Sequence, residues 1–245
     1  MSNDKYKKYI DPTFPLLEKY REIAPGSYKH SQNVANICES IAIELELDVD
    51  LMRCCGLYHD IGKMNYPLNF SENQPAKTNI HDDIEPNVSY HLITRHVSDG
   101  VLILLQNDFP IEVIKIISEH HGDTLLRQFH KKEEESPEDL FRYKGRKPTS
   151  MESIVLMIVD SVEATSRAMI IQRKDDEENG VFIKRIIQST IERLDDDDQL
   201  DKILHGAIKQ IKRILTKELE SIYHKRVIYK DEEDKDIVDE IKNKK

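Results

Sequence analysis

The sequence predicts an all-α protein built as a helical bundle. Of its 245 residues 33% are charged and 7% aromatic, with eight Gly and no Trp, a balance that favours helices over a β-sandwich or barrel. Apolar residues then recur three and four positions apart in one segment after another, the period of a helix with one buried face. The length suits one large domain, or one domain with a helical extension, and allows a substantial core.

Residues 1–13 read as an N-terminal linker, 14–230 as the domain and 231–245 as a charged tail expected to be disordered. HSQNVANICESIAIELEL places Val34, Ile37, Ile41 and Leu45 at helical spacing and stops at the acidic break Asp48 to Asp50. The next helix, from Leu51, carries CCGLYHDIGK and is expected to end near Gly62, with Pro67 beyond. A polar connection from Met64 to Asn87 holds Pro67, Pro75 and Pro86; structureless loops of that length are uncommon and often functional. A helix from Val88 through Leu105 carries His96. NDFPIEVIKIISEHHG has Pro110 and Glu112 as start signals and Gly122 as a stop, which puts His120 and His121 in its last turn. EEESPEDLFRYKGRKPTS is a second long loop, acidic and then basic. MESIVLMIVDSVEATSRAMII is an apolar helix interrupted by Asp160 and Glu163, and VFIKRIIQSTIERL with ILHGAIKQIKRILTKELESIYHKRV forms an amphipathic C-terminal helical hairpin.

The formal net charge of −10 argues against generic attraction to duplex nucleic acid or anionic lipid. Cys38, Cys54 and Cys55 form no CxxC pair, which points to a reducing compartment and away from disulfides or a thiolate metal site. The N-terminus lacks the apolar core of a signal peptide, and no run approaches the roughly 18 apolar residues of a membrane span. A cytoplasmic location is expected.

Chemistry enters where histidines and aspartates interrupt apolar helices: His30, the pair His59 and Asp60, His96, the pair His120 and His121, and Asp160. An ionised Asp160 among Ile, Val and Met costs several kcal/mol unless a cation or strong donors compensate, and a metal ion is the simplest compensation. His120 and His121 project about 100° apart on a helix, so both reach one site only at the helix end or if two metals are present. Five imidazoles and two carboxylates exceed one tetrahedral ion and suit two metals sharing a carboxylate. Nitrogen and oxygen donors without thiolate favour Fe, Mn, Co or Zn.

HDIGK, preceded by HS and followed by a distant Asp, resembles the HD-domain metallophosphohydrolases. His96 and EHHG are similar to the binuclear branch of that superfamily. The ordered set PLLEKYREIAPGSYKHSQNVAN, LYHDIGKM, FSENQ, HLITRHVSDGV, EHHGDTLL, FRYKGRKP, DSVEATSRA and IYHKRVIY resembles, more narrowly, the cytoplasmic HD domain of seven-transmembrane HD receptors, the PgpH-type cyclic di-AMP phosphodiesterases. The resemblance covers Phe14 to Tyr229 and implies an HD-domain helical bundle with a binuclear site. It assigns His30, His59, Asp60 and Asp160 to one divalent metal and Asp60, His96, His120 and His121 to the other, with Asp60 bridging. Iron or manganese is expected first, zinc or cobalt next.

Such a site implies an activated hydroxide that attacks phosphorus in line, and the resemblance implies cyclic di-AMP as substrate and linear pApA as product. Lys63 either protonates the leaving oxygen or contacts the phosphate; the alternative is a solvated lysine past a helix end. Arg142, Tyr143, Lys147 and Arg167 are candidate substrate contacts, guanidinium for phosphate and Tyr143 for adenine, against the reading of a solvated basic loop. Phe70, Glu72, Asn73 and Gln74 match the family's loop, with loop folding as the alternative role. His81 stands between support of the site and a purely structural role. His91, His130, His205 and His224 read as surface or packing residues.

Departures from the family pattern are Lys29 before His30, Lys144 and Arg146 in place of two loop prolines, and Asp123 in place of a threonine. The family's membrane tether is not in this sequence, so an excised domain and a stand-alone protein both fit. A homodimer is left open. Two other readings stand beside the main one: an HD hydrolase acting on another cyclic dinucleotide or a mononucleotide, and a non-catalytic nucleotide-binding signalling domain.

Overall fold

A computed structural model of the chain describes residues 4–75, 78–170, 178–203 and 206–223. The tail assigned to residues 231–245, together with His205 and His224, lies outside the described residues. Helices account for the architecture, and the described residues contain no β-strand beyond an isolated bridge between Leu125 and Arg142. The all-α expectation holds.

The first helix, α1 (Lys7–Ile10), is short, and α2 (Pro15–Ile23) and α3 (Pro25–Glu44) follow closely. Proline at the first turn of α2 and of α3 suits a position whose N–H has no helical partner. Within residues 4–13, assigned to a linker, two side chains pack into the core. Tyr6 and Tyr9 are buried, the Tyr9 hydroxyl donates to Asp108 O at 2.6 Å, and Tyr58 donates back to Tyr9 O at 2.7 Å. The packing reason is an aromatic cluster in which Tyr9 meets Phe14 and Phe109.

Helix α4 (Val49–Tyr58) begins where Asp48 accepts from Leu51 N at 3.0 Å, so the acidic break is an N-cap. It packs antiparallel to α3, with Arg53 donating to Asn36 at 3.1 Å. That register sets His30 opposite His59. The helix ends at Tyr58, four residues before the expected Gly62, and a 3-10 turn Ile61–Asn65 takes over. Gly62 serves close approach instead of helix termination: a Cβ there would lie 2.0 Å from the carbonyl oxygen of His96.

The connection before α5 (Pro86–Gln106) is not structureless. It winds through 3-10 turns at Pro67–Asn69, Ser71–Asn73 and Ile80–Asp82. Asn73 fastens it to the start of α3 by accepting from Gly26 N at 2.9 Å and donating to Ser27 Oγ at 2.8 Å. After α6 (Ile111–Ser118) the chain turns at Gly122, φ 53°, so His120 and His121 lie past the helix rather than in its last turn.

The second loop, with α7 (Arg127–His130), folds over its own small core of Tyr90, Phe129 and Phe141. The long α8 (Met151–Ile170) runs through the main core, and α9 (Asn179–Asp196) packs on it. Residues 206–223 are helical and antiparallel to α9, since Lys212 donates to Gln188 and Gly180 lies against Glu220. This is the expected C-terminal hairpin. No helix among the described residues is long and apolar enough to cross a membrane.

Candidate metal centre

Helices α3, α4, α5 and α8 and the turn after α6 send their polar interruptions to one place. Two groups of donor atoms form there, Asp60 with His96, His120 and His121, and His30 with His59 and Asp60, each within 4.8 Å of one another. Asp60 belongs to both. Asp160 joins from α8, its Oδ1 3.0 Å from His30 Nε2 and 3.5 Å from His59 Nε2, and its Oδ2 3.8 Å from His121 Nδ1. All seven residues of the expected ligand set are therefore neighbours, and six of them are buried.

Hydrogen bonds at the far side of the rings decide what the near side offers. The Nδ1–H of His59, His96 and His120 donates to the carbonyls of Gly56, Ile93 and Ile117 at 2.9, 2.7 and 2.6 Å. His30 Nδ1 donates to the buried carboxylate of Glu163. A proton fixed at Nδ1 leaves the Nε2 lone pair pointing inward. These inward nitrogens crowd one another: His59 to His30 at 3.3 Å, His96 to His120 at 3.5 Å and His121 to His96 at 3.2 Å. Where both nitrogens are acceptors, as at His96 and His120, they repel, and a cation between them removes the conflict. The donor set fits divalent metal ions, with nitrogen and oxygen ligands only.

Electrostatics follow the same division. Burial alone would raise the carboxyl of Asp60, but Lys63, His59 and His96 hold it well below the ordinary carboxylate range. Asp160 behaves likewise, with burial outweighed by His30, His59 and His121. Burial lowers His120 to about 3, with His59 and His96 adding to it, and lowers His121 well below its ordinary value, with His120 adding. His59 goes the other way, because Asp60 and Asp160 outweigh burial and raise it to about 10. Burial thus keeps His120 and His121 neutral, while the carboxylates beside them favour the charged forms of His30 and His59.

Lys63 follows Asp60 by three residues and bridges Asp60 Oδ2, at 2.6 Å, and Glu72 Oε1, at 3.0 Å. Glu72 also accepts from Ser27 Oγ at 3.0 Å, so the loop motif both folds the connection and holds Lys63. A cavity of about 910 Å³ opens over the cluster, lined by Asp60, Lys63, Phe70, Tyr143, Asp160 and Arg167 among others. That is within the range of about 300–1,000 Å³ usual for small-molecule sites.

The substrate candidates divide. Arg167 lines the cavity and faces Glu72 and Glu163 at 3.8 and 3.7 Å. Tyr143 also lines it, with its ring stacked on His121 at 4.3 Å between centroids. Arg142 and Lys147 do not reach it. Arg142 donates to Asp197 at 2.8 Å and Glu138 at 3.1 Å, and Lys147 lies 3.8 Å from Asp198, because the acidic run after α9 captures the basic loop. His81 is buried away from the cavity, with Nε2 donating to Asn69 O at 2.8 Å and its ring against Phe129. Asp123 is turned to Gln199, whose amide donates to it at 2.6 Å.

Sequence reasoning missed Glu163 as a functional residue. Its carboxylate orients His30 and accepts from Asn33 at 2.8 Å. The signal was its place three residues after Asp160 in an apolar helix. Glu119, beside the histidine pair, was also missed; it accepts from Thr149 N at 2.9 Å and Ser153 Oγ at 2.7 Å and anchors that turn to the start of α8.

A family profile described as HD domain matches residues 27–165. The chain is 36% identical over 240 residues to the cyclic-di-AMP phosphodiesterase PgpH of Listeria monocytogenes, covering 96% of this chain and 33% of that protein. To the PgpH of Bacillus subtilis it is 33% identical over 235 residues, covering 94% and 32%. The chain thus spans about a third of the length of these curated relatives. The solved HD domain of L. monocytogenes PgpH superimposes with a TM-score of 0.79 at 39% identity, over 86% of this chain and 99% of that one. A second structure of that domain, in complex with cyclic-di-AMP, gives a TM-score of 0.78 at 38% identity, over 86% and 97%. The profile match, the shared fold and the histidine–aspartate cluster agree: the chain belongs to the HD-domain family.

Proposed function

We propose that this domain is a divalent-cation-dependent phosphodiesterase that opens cyclic di-AMP to linear pApA. The observation that carries the reading is Asp60 shared by two groups of inward-facing imidazoles at the floor of a cavity of about 910 Å³. The similarity to the PgpH phosphodiesterases, one solved with cyclic-di-AMP, supports the choice of substrate. Iron or manganese is the expected metal, with zinc or cobalt as alternatives, since every donor is nitrogen or oxygen. The proposed location is the cytoplasmic side, tethered to the membrane where the domain is part of a longer receptor.

In this reading His30, His59, Asp60 and Asp160 hold one ion, and Asp60, His96, His120 and His121 the other. Bound there, two divalent ions would supply an activated water as nucleophile and would offset charge on the phosphodiester. The protein's own groups do the rest. Glu163 and the backbone carbonyls behind His59, His96 and His120 keep each ring in one tautomer and orientation. Lys63 remains an ammonium, because Asp60 and Glu72 outweigh burial and hold its pKa above the ordinary range. It therefore presents a charged N–H donor, either to a phosphate oxygen or to the leaving oxygen. Arg167 adds a second cation at the same wall, and the edge of Tyr143 borders the space for a base. The proposed catalytic unit extends N-terminally to Tyr6, whose ring is part of the core.

The test is anaerobic purification with metal analysis, followed by side-by-side assay on cyclic di-AMP, cyclic di-GMP and pApA. Metal-dependent release of pApA from cyclic di-AMP is expected, and its absence overturns the reading. Asp60→Ala is expected to remove both metal content and turnover. Undiminished turnover in that variant excludes the two-metal scheme.

A further inference from the structure

Lys29, Lys63, Arg127, Arg167 and Arg193 are the lysines and arginines lining the cavity, and they differ in what surrounds them. Lys63 and Arg167 face the carboxylates of Asp60, Glu72 and Glu163. Arg127 on α7 and Arg193 on α9 have no side-chain hydrogen bond or ion pair among the described residues. They are near enough to repel one another, and burial first and Arg127 second depress the pKa of the half-buried Arg193. Asp197, one turn on, and Asp160 offset Arg193 only in part, and Asp197 also accepts from Arg142 at 2.8 Å. Lys29 is also unpaired, but it is exposed on α3 and incurs no burial cost.

Two guanidiniums lining one cavity, neither in an ion pair among the described residues and together repelling, leave positive charge that an anion would complete. A phosphate fits best, because the planar N–H fork of arginine matches its oxygens two at a time. We propose that Arg127 and Arg193 form a subsite for the second phosphodiester of a cyclic dinucleotide, the one left uncut while the first lies at the histidine–aspartate cluster. The inference rests on the proposed activity and adds to it where the far half of the substrate is held. A cyclic dinucleotide carries two separated negative charges, and both must enter a cavity already lined by Asp60, Asp160, Glu72 and Glu163. Lys63 and Arg167 are largely offset by those carboxylates. The arginine pair has no ion pair among the described residues, and Asp197 and Asp160 offset it only in part.

The test uses the metal-loaded chain with Arg127→Ala, Arg127→Glu, Arg193→Met and the Arg127→Ala/Arg193→Met double variant. Arg127 is exposed, so its substitutions leave core packing alone, and Arg193→Met keeps the apolar stem. The readout is the dissociation constant of the hydrolysis-resistant bis-phosphorothioate analogue of cyclic di-AMP, measured calorimetrically at two salt concentrations. A loss of tenfold or more is expected for the double variant and for Arg127→Glu, with a flatter salt dependence. The ratio of kcat/KM on cyclic di-AMP to that on bis(p-nitrophenyl) phosphate, which has one phosphodiester, is expected to fall at least tenfold as well. Binding by the wild type with less than a twofold change in the double variant overturns the subsite alone. Failure of the wild type to bind the analogue at all overturns the proposed activity together with it.

Discussion

The ammonium of Lys63 lies 2.6 Å from Oδ2 of Asp60, the carboxylate common to both donor groups, and reaches Glu72 on its other side. This places a fixed positive charge against the carboxylate that the two donor groups share. The lysine side chain is 12% exposed, so the pair is little screened by water.

Replacing Lys63 by Met leaves two buried carboxylates without their cation. Removing one partner of a buried ion pair costs about 3–5 kcal/mol, and the lower end is expected for a group at a cavity wall. Denaturant unfolding of the chelated protein checks the size. Added manganese is expected to recover part of the loss in K63M, since it supplies positive charge beside Asp60.

Glu72 gives a pH signature. Burial alone would raise its pKa, but Lys63 and Arg167 lower it from the ordinary 4.5 to about 2 in the folded chain. The unfolded chain therefore binds the proton first as pH falls. The contribution of Glu72 is complete above about pH 5 and is lost between roughly 4.5 and 2, amounting to about 3 kcal/mol at neutral pH. Unfolding free energies of the chelated wild type and E72Q, compared from pH 7 down to 3, should converge as pH falls. A gap that widens on acidification would contradict the assignment.

Glu163→Ala removes the acceptor that holds the His30 ring. Loss of such a supporting group usually weakens metal affinity by about 10–100-fold. Glu163→Gln, whose carbonyl still accepts from Nδ1–H, is expected to retain most of it. Competition against a metal-sensitive dye separates the two variants, and equal affinity of Glu163→Ala and wild type would remove Glu163 from the site.

Gly62→Ala tests the seating of α5. The new Cβ would lie 2.0 Å from the carbonyl oxygen of His96 and 2.5 Å from the amide nitrogen of Gly100, contacts that only backbone movement relieves. Overpacking of this kind costs about 1–3 kcal/mol. Elemental analysis is expected to show metal content falling from two ions per chain toward one, because His96 serves one donor group only.

Most of the fold and the composition of the centre were legible in the sequence. Helical periodicity located α3, α5 and α8, and the polar interruptions of apolar helices marked the seven residues that converge on the cluster. A charge buried in an apolar helix needs a partner, and that requirement is visible without coordinates. Boundaries were less legible. The helix expected to carry His59 stops one residue short of it, at Tyr58, and Gly62 owes its presence to α5, a neighbour that local sequence does not reveal.

The basic loop shows the limit most clearly. Read alone, Arg142 and Lys147 offer cations to a substrate, but competition with the acidic run after α9 is a tertiary matter, and Asp197 and Asp198 take them. Asp197 hydrogen-bonds Arg142 and not Arg193, and Arg127 and Arg193 line the cavity without an ion pair among the described residues. The sequence by itself determined the helical class, through period, and the family and the candidate metal ligands, through the types and order of its motif residues. Only the tertiary structure decided which lysines and arginines are neutralised, because Coulomb attraction depends on distance, and distance between segments is set by packing.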